Sequence, residues 1–145
     1  MFSAVKTPQE RLSVWREFRQ KFPQGGSSLS VVEAFKDIKL QPRYIDYYTP
    51  NNWPGVFEIV REGYFCQSGI TLVMAATLDY LGFLNPQDIH LEVISNHITG
   101  YEGLVLRSGD LYYNFLPGKI VDEQFVKDNG TSFDKYIITV DKLYA

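Results

Sequence analysis

The longest apolar run of the chain, Gly63 to Phe83 (GYFCQSGITLVMAATLDYLGF), is hydrophobic on every side when wound as a helix. Ile70, Val73, Met74, Leu78 and Leu81 fall on one arc, and Leu72, Ala75, Ala76 and Tyr80 on the other; between Ile70 and Leu81 the sole charge is Asp79. A helix apolar all round belongs at the centre of a domain, packed from more than one direction. Gly82 stands where a glycine closes a last helical turn, and Asn85-Pro86 forbids continuation. The run is too short and too interrupted to span a bilayer. It predicts a core helix with Cys66 at its N-terminal end.

Amphipathic helices precede it. Thr7-Pro8-Gln9-Glu10 pairs an N-cap with a proline at the first helical position and a capping-box glutamate. That helix should run to about Phe22, with Val14, Phe18 and Phe22 inward and Arg11, Arg16, Arg19 and Lys21 solvated. A second helix is expected from Ser30, capped against Glu33, through Phe35 and Ile38, with Pro42 ending it. Pro54 opens a third, to about Arg61, burying Val56, Phe57 and Val60.

After Pro86 the period changes from helical to alternating. Ile89–Ile94, Tyr101–Arg107 and Leu111–Leu116 read as strands, joined by a loop at 95–100 and a turn at Ser108-Gly109-Asp110. Pro117-Gly118 breaks the last of them. Residues 120–127 read as a short helix, Asp128-Asn129-Gly130 as a turn, and Tyr136–Val140 as a final strand. Helices followed by a meander give an α+β fold: N-terminal helices and a central buried helix packed on an antiparallel β-meander.

At 145 residues, one domain spanning 1–145 is expected. The formal charge of −3 argues against nucleic-acid binding, which needs a basic surface. A single cysteine excludes an intramolecular disulfide and fits a reducing compartment. The opening MFSAVKTPQER shows no apolar signal core, so a cytoplasmic protein away from the membrane is expected. Aromatics are abundant, at 15 % of residues, and they concentrate in Arg43–Trp53 beside the turn formers Pro50, Asn51 and Asn52. Such a segment either builds a binding rim or wraps the core with its rings inward. On the rim reading, Tyr47, Tyr48 and Trp53 join Gln67 as candidate substrate-binding residues.

Candidate chemistry centres on Cys66, because the first turn of a helix presents free N–H groups that favour thiolate over thiol. Of the two histidines, His90 lies within a strand and reads as surface, while His97 stands at a strand-to-loop junction beside Asn96. Asn114 follows seventeen residues later on the third strand, close enough to flank the ring. In such a trio the cysteine attacks, the histidine shuttles the proton, and the amide orients the imidazole. Asp110 is the alternative third member, though its Ser-Gly-Asp context suits a plain turn. One cysteine and two histidines without compact spacing offer no metal site, and no cofactor motif is present.

This order (GYFCQSG with Cys66, SNHITGYEGLVL with His97, LYYNFLPG with Asn114) resembles the papain-like superfamily, in particular its compact transglutaminase-like and NlpC/P60-like domains, over roughly residues 63–118. The resemblance implies a cysteine-dependent hydrolase or acyl-transferase acting on an amide or peptide-like bond. Where papain-like proteases carry an oxyanion glutamine before the cysteine, Val60, Arg61 and Glu62 stand here, which leaves backbone N–H groups to serve. The alternative is a non-catalytic protein-binding or assembly module, with Cys66 a core residue and the aromatics forming an interface. A sulfur–imidazole distance within roughly 4 Å separates the two readings.

Overall fold

The computed structural model describes residues 1–2 and 7–145. Helix α1 (Pro8–Lys21) starts as its sequence dictates, with the Thr7 side chain accepting from the Glu10 N–H. Trp15 is its buried anchor, and the indole N–H donates to Thr77 at 2.8 Å. Helix α2 (Ser28–Ala34) begins earlier than its capping-box pattern predicts: Ser27, not Ser30, is the N-cap. It also stops at Ala34, short of Ile38. Residues 35–53 then wrap the core, burying Ile45 and Trp53. Helix α3 (Val56–Glu62) is closed by Gly63 in the left-handed region, φ 75°. Its Phe57 leans outward against Trp15 and Tyr144, although it was expected inward.

Helix α4 (Gln67–Tyr80) is the central element. Every residue from Ser68 to Leu78 is buried, and Cys66 is the N-cap. Gly82 (φ 84°) closes it, with Gly82 N–H on Asp79 O and Phe83 N–H on Leu78 O, the two bonds of a Schellman cap. Tyr80, assigned above to an apolar arc, is exposed under the Arg19 guanidinium instead.

Among the described residues five strands form one sheet: β1 (Ile89–Asn96), β2 (Glu102–Ser108), β3 (Leu111–Tyr113), β4 (Ile120–Asp122) and β5 (Gly130–Ile138), in the order β4-β3-β2-β1-β5, with every pairing antiparallel. Helix α5 (Glu123–Asn129) joins β4 to β5, and α6 (Val140–Tyr144) ends the chain. Ile89, Leu91, Val93, Leu104 and Leu106 pack with α4 in the main core. Ile94, Val105, Tyr112 and Phe115 form a second cluster with Val126 of α5. The order of the meander is as expected through β3, but β1 runs on to Asn96 into the expected loop, and β3 stops at Tyr113 instead of Leu116, which leaves Asn114 off the strand that was expected to carry it. Beyond it, the expected helix at 120–127 is a strand followed by a helix. The expected turn at 128–130 is the end of α5 and the start of β5. The last strand is longer and earlier than Tyr136–Val140, and it pairs with β1 rather than extending the meander.

Candidate functional site

Strand β3 ends because Asn114 takes a left-handed conformation, φ 70°, the one non-glycine residue among those described to do so. Asparagine tolerates that region better than most side chains. The turn at Asn114 ends the β2–β3 pairing at Leu106–Tyr113 and frees the edge of β2 beyond it. The first turn of α4 fills that edge. The Leu104 N–H donates to Ser68 Oγ at 3.0 Å, and Thr71 Oγ1 donates to Leu104 O at 2.7 Å. Two helix hydroxyls thus replace a missing strand, which satisfies backbone groups that burial would otherwise orphan.

Asn114 is also the other half of this join. Its buried amide donates to Thr71 Oγ1 (2.9 Å) and to the Gln67 carbonyl (3.3 Å), while its own carbonyl accepts from Gln67 Nε2 (3.2 Å). Gly103 makes the approach possible, since a Cβ there would stand 2.5 Å from Ser68 Oγ. Sequence, local conformation and packing together hold the Cys66 end of α4 against the start of β2.

Half-buried Cys66 accepts the Gly69 N–H at Sγ, 3.4 Å away, and opens onto a cavity of about 450 Å³. One wall is the segment 40–47 with Arg43, Tyr44, Ile45 and Tyr47; the other is Cys66, Gln67, Ser68, Tyr101 and Glu102. Tyr47 donates its hydroxyl to Glu102 Oε2 at 2.6 Å, closing one side. That hydrogen bond, with burial adding to it, pushes the Tyr47 phenol well above its ordinary value. Arg43 is matched by Glu62, Nη1 to Oε2 2.7 Å.

Of the residues singled out from sequence, Gln67, next to Cys66, is bonded to Asn114, and Tyr47 lines the same cavity as Cys66 and Gln67. Neither histidine lines it. The His97 ring is exposed and pairs through Nε2 with Thr131 Oγ1 at 2.9 Å, while its backbone N–H is held by Asn129 O. The turn carrying it is clamped by buried Asn96, whose Oδ1 accepts the N–H groups of Ile98 and Thr99 and whose amide donates to Phe115 O. The Asn114 amide braces α4 rather than an imidazole. Tyr48 packs on Tyr47 but does not line the cavity. Trp53 is core, edge-on to Tyr136, so the aromatic segment both wraps and rims. Asp110 lies in the exposed turn at the far end of β2. The residues that sequence reasoning missed are Tyr101 and Glu102, which the β1–β2 connection places on the lining of the Cys66 cavity. Their position just after Gly100, at the mouth of a predicted strand, was the available signal. Among the described residues no group of three or more His, Cys, Asp or Glu side chains could hold a metal ion.

No family model matches this chain, and no curated protein matches it. Solved structures do. Legionella pneumophila LapG in its calcium-bound form superimposes with a TM-score of 0.67 at 14 % identity, over 96 % of this chain and 83 % of that one. LapG without that qualifier gives 0.68 at 15 % over the same shares. The EGTA-treated form gives 0.65 at 17 %, over 99 % and 84 %. The α+β fold read from the residues is the fold of this chain, and the likeness to LapG extends beyond residues 63–118 to the N-terminal helices.

Proposed function

We propose that this protein is a binding module built on a cysteine-hydrolase-type fold, which captures a peptide-like segment in the Cys66 cavity without cleaving it. The observation that carries this reading is the makeup of the cavity. The cavity that Cys66 opens onto is lined by one carboxylate, Glu102, and by neither histidine, while the His97 imidazole is engaged by Thr131 outside it. A nucleophilic thiol needs a base within hydrogen-bond reach or one water away. A carboxylate is a poor substitute. Its ordinary pKa lies roughly four units below that of a thiol, so drawing the proton costs about 6 kcal/mol before any bond forms.

A second reading keeps Cys66, His97 and Asn114 as nucleophile, base and orienter of an amide hydrolase or acyl-transferase. It is favoured by the placement of Cys66 as the cap of a core helix at the cavity wall. It requires the clamped turn 96–100 to swing the imidazole away from Thr131.

Iodoacetamide alkylation of Cys66 at pH 7 decides between them. On the binding reading, wild type and His97→Ala react at the same rate, no faster than a free thiol such as glutathione, and casein incubated with the protein stays intact. A wild-type rate about tenfold or more above glutathione, lost in His97→Ala, would establish a poised thiol–imidazole pair and overturn the binding reading.

A further inference from the structure

We propose that the Cys66 cavity recognises a primary ammonium group, from a lysine side chain or a free N-terminus. This inference rests on the binding reading above and names what is bound.

The cavity holds one acidic side chain without an ion-pair partner. Its one lining cation, Arg43, is paired in charge with Glu62, Nη1 to Oε2 2.7 Å, although that contact lacks hydrogen-bond geometry. Glu102 is not matched. Its hydrogen bond comes from the neutral Tyr47 hydroxyl, and among the described residues no lysine, arginine or histidine forms an ion pair with it. Beneath the wall, Gln67 Oε1 is buried without a donor. The orientation of that amide is fixed, because Nε2 donates to the Asn114 carbonyl, so the oxygen is the end left over. A ligand complementary to these groups brings donors and positive charge. It also meets aromatic surface: Tyr44, Tyr47 and Tyr101 line the same space, and tyrosine faces attract ammonium groups. Tyr44 is 87 % exposed, an unusual place for an aromatic ring that only packs. The Tyr47 hydroxyl spends its proton on Glu102 and so leaves its ring and oxygen lone pairs to the ligand.

The test is an NMR titration of the full chain with three capped probes. N-acetyl-lysine methylamide carries the ammonium on a side chain. Alanyl-alanine methylamide carries it on the N-terminus. N-acetyl-norleucine methylamide keeps the four-carbon side chain of lysine without its ammonium. The expected result is saturable shifts at the Gln67, Tyr101 and Gly103 amides with at least one ammonium probe, about tenfold tighter than norleucine and weakened by added salt. Glu102→Gln keeps the side-chain shape and should remove that advantage, while the spectrum elsewhere shows the fold intact. The preferred ammonium probe tells side chain from N-terminus. Norleucine binding as tightly as lysine, or ammonium binding unchanged in Glu102→Gln, overturns the ammonium inference and leaves the binding reading standing. Shifts from no probe at these amides overturn the inference too. A fast, His97-dependent alkylation in the earlier experiment strikes at the binding reading instead.

Discussion

Glu92, in the middle of β1, is 2 % exposed, and burying a carboxylate is costly unless its oxygens are fully engaged. Here they are. Oε1 accepts from Arg107 Nη1 (3.1 Å) and the Tyr112 hydroxyl (2.9 Å), and Oε2 accepts from Ser132 Oγ (3.1 Å). Arg107 reaches on to Glu123 at 3.3 Å, tying β2 to α5. Removing one partner of such a network leaves the others buried and unpaired, which is worse than removing the pair. Glu92→Ala should therefore destabilise the protein by about 3 kcal/mol, while Glu92→Met with Arg107→Met should recover part of that loss. Urea unfolding of the two variants checks it; a double variant no more stable than the single one contradicts the account. In the sequence, Glu92 alternates with Leu91 and Val93 beside His90 and so reads as solvent-facing. That reading holds for His90, which pairs with Asp88 near the surface. It fails for Glu92 because α5 covers the second face of the sheet, and covering is a tertiary fact that alternation along one strand does not carry.

At the scale of elements, α4 was legible because its signals agreed: an unbroken apolar surface, a cap at one end and glycine at the other. Strand β5 was not. Its residues 131–135 (Thr-Ser-Phe-Asp-Lys) are exposed, since β5 is the sheet edge and no buried face imposes alternation on them. The join between α4 and β2 was equally invisible, because Gly103, Ser68, Thr71 and Asn114 lie far apart in the chain and acquire meaning only in contact. That join is testable. Gly103→Ala places a methyl 2.5 Å from Ser68 Oγ but 3.8 Å from Ser68 Cβ. The single substitution should cost about 1–3 kcal/mol by overpacking. Ser68→Ala alone should cost a similar amount, because the buried Leu104 N–H loses its acceptor. The costs should not add, since removing the hydroxyl also removes the clash. A double-mutant cycle with a coupling near zero would show that Gly103 is not what admits the helix.

Across the whole molecule, several of the ten tyrosines share a response to alkali. Burial first, and then the hydrogen bond to Glu92, raises the Tyr112 phenol to about 12. Burial first, and then Asp134, raises Tyr136 to about 12. Tyr47 is raised by its bond to Glu102, and Tyr144 by burial beneath the helices. In the unfolded chain these phenols ionise near the ordinary value of about 10. Above that pH the unfolded state has released protons that the folded state still holds, so stability falls as pH rises. The contribution is fully present below about 10 and is lost as pH climbs toward the folded values. The urea midpoint should accordingly stay level from neutral pH to about 9 and then drop steeply. Lysines also titrate in that range, so the wild-type curve alone does not isolate the phenols. Tyr112→Phe with Tyr136→Phe does, and that variant should show a shallower alkaline decline than wild type. An equal decline would mean that the phenols are not held protonated by the fold. The hydrogen bond that closes one side of the cavity would then lose its support from titration, because Tyr47 and Glu102 follow the same carboxylate–phenol logic as Tyr112 and Glu92.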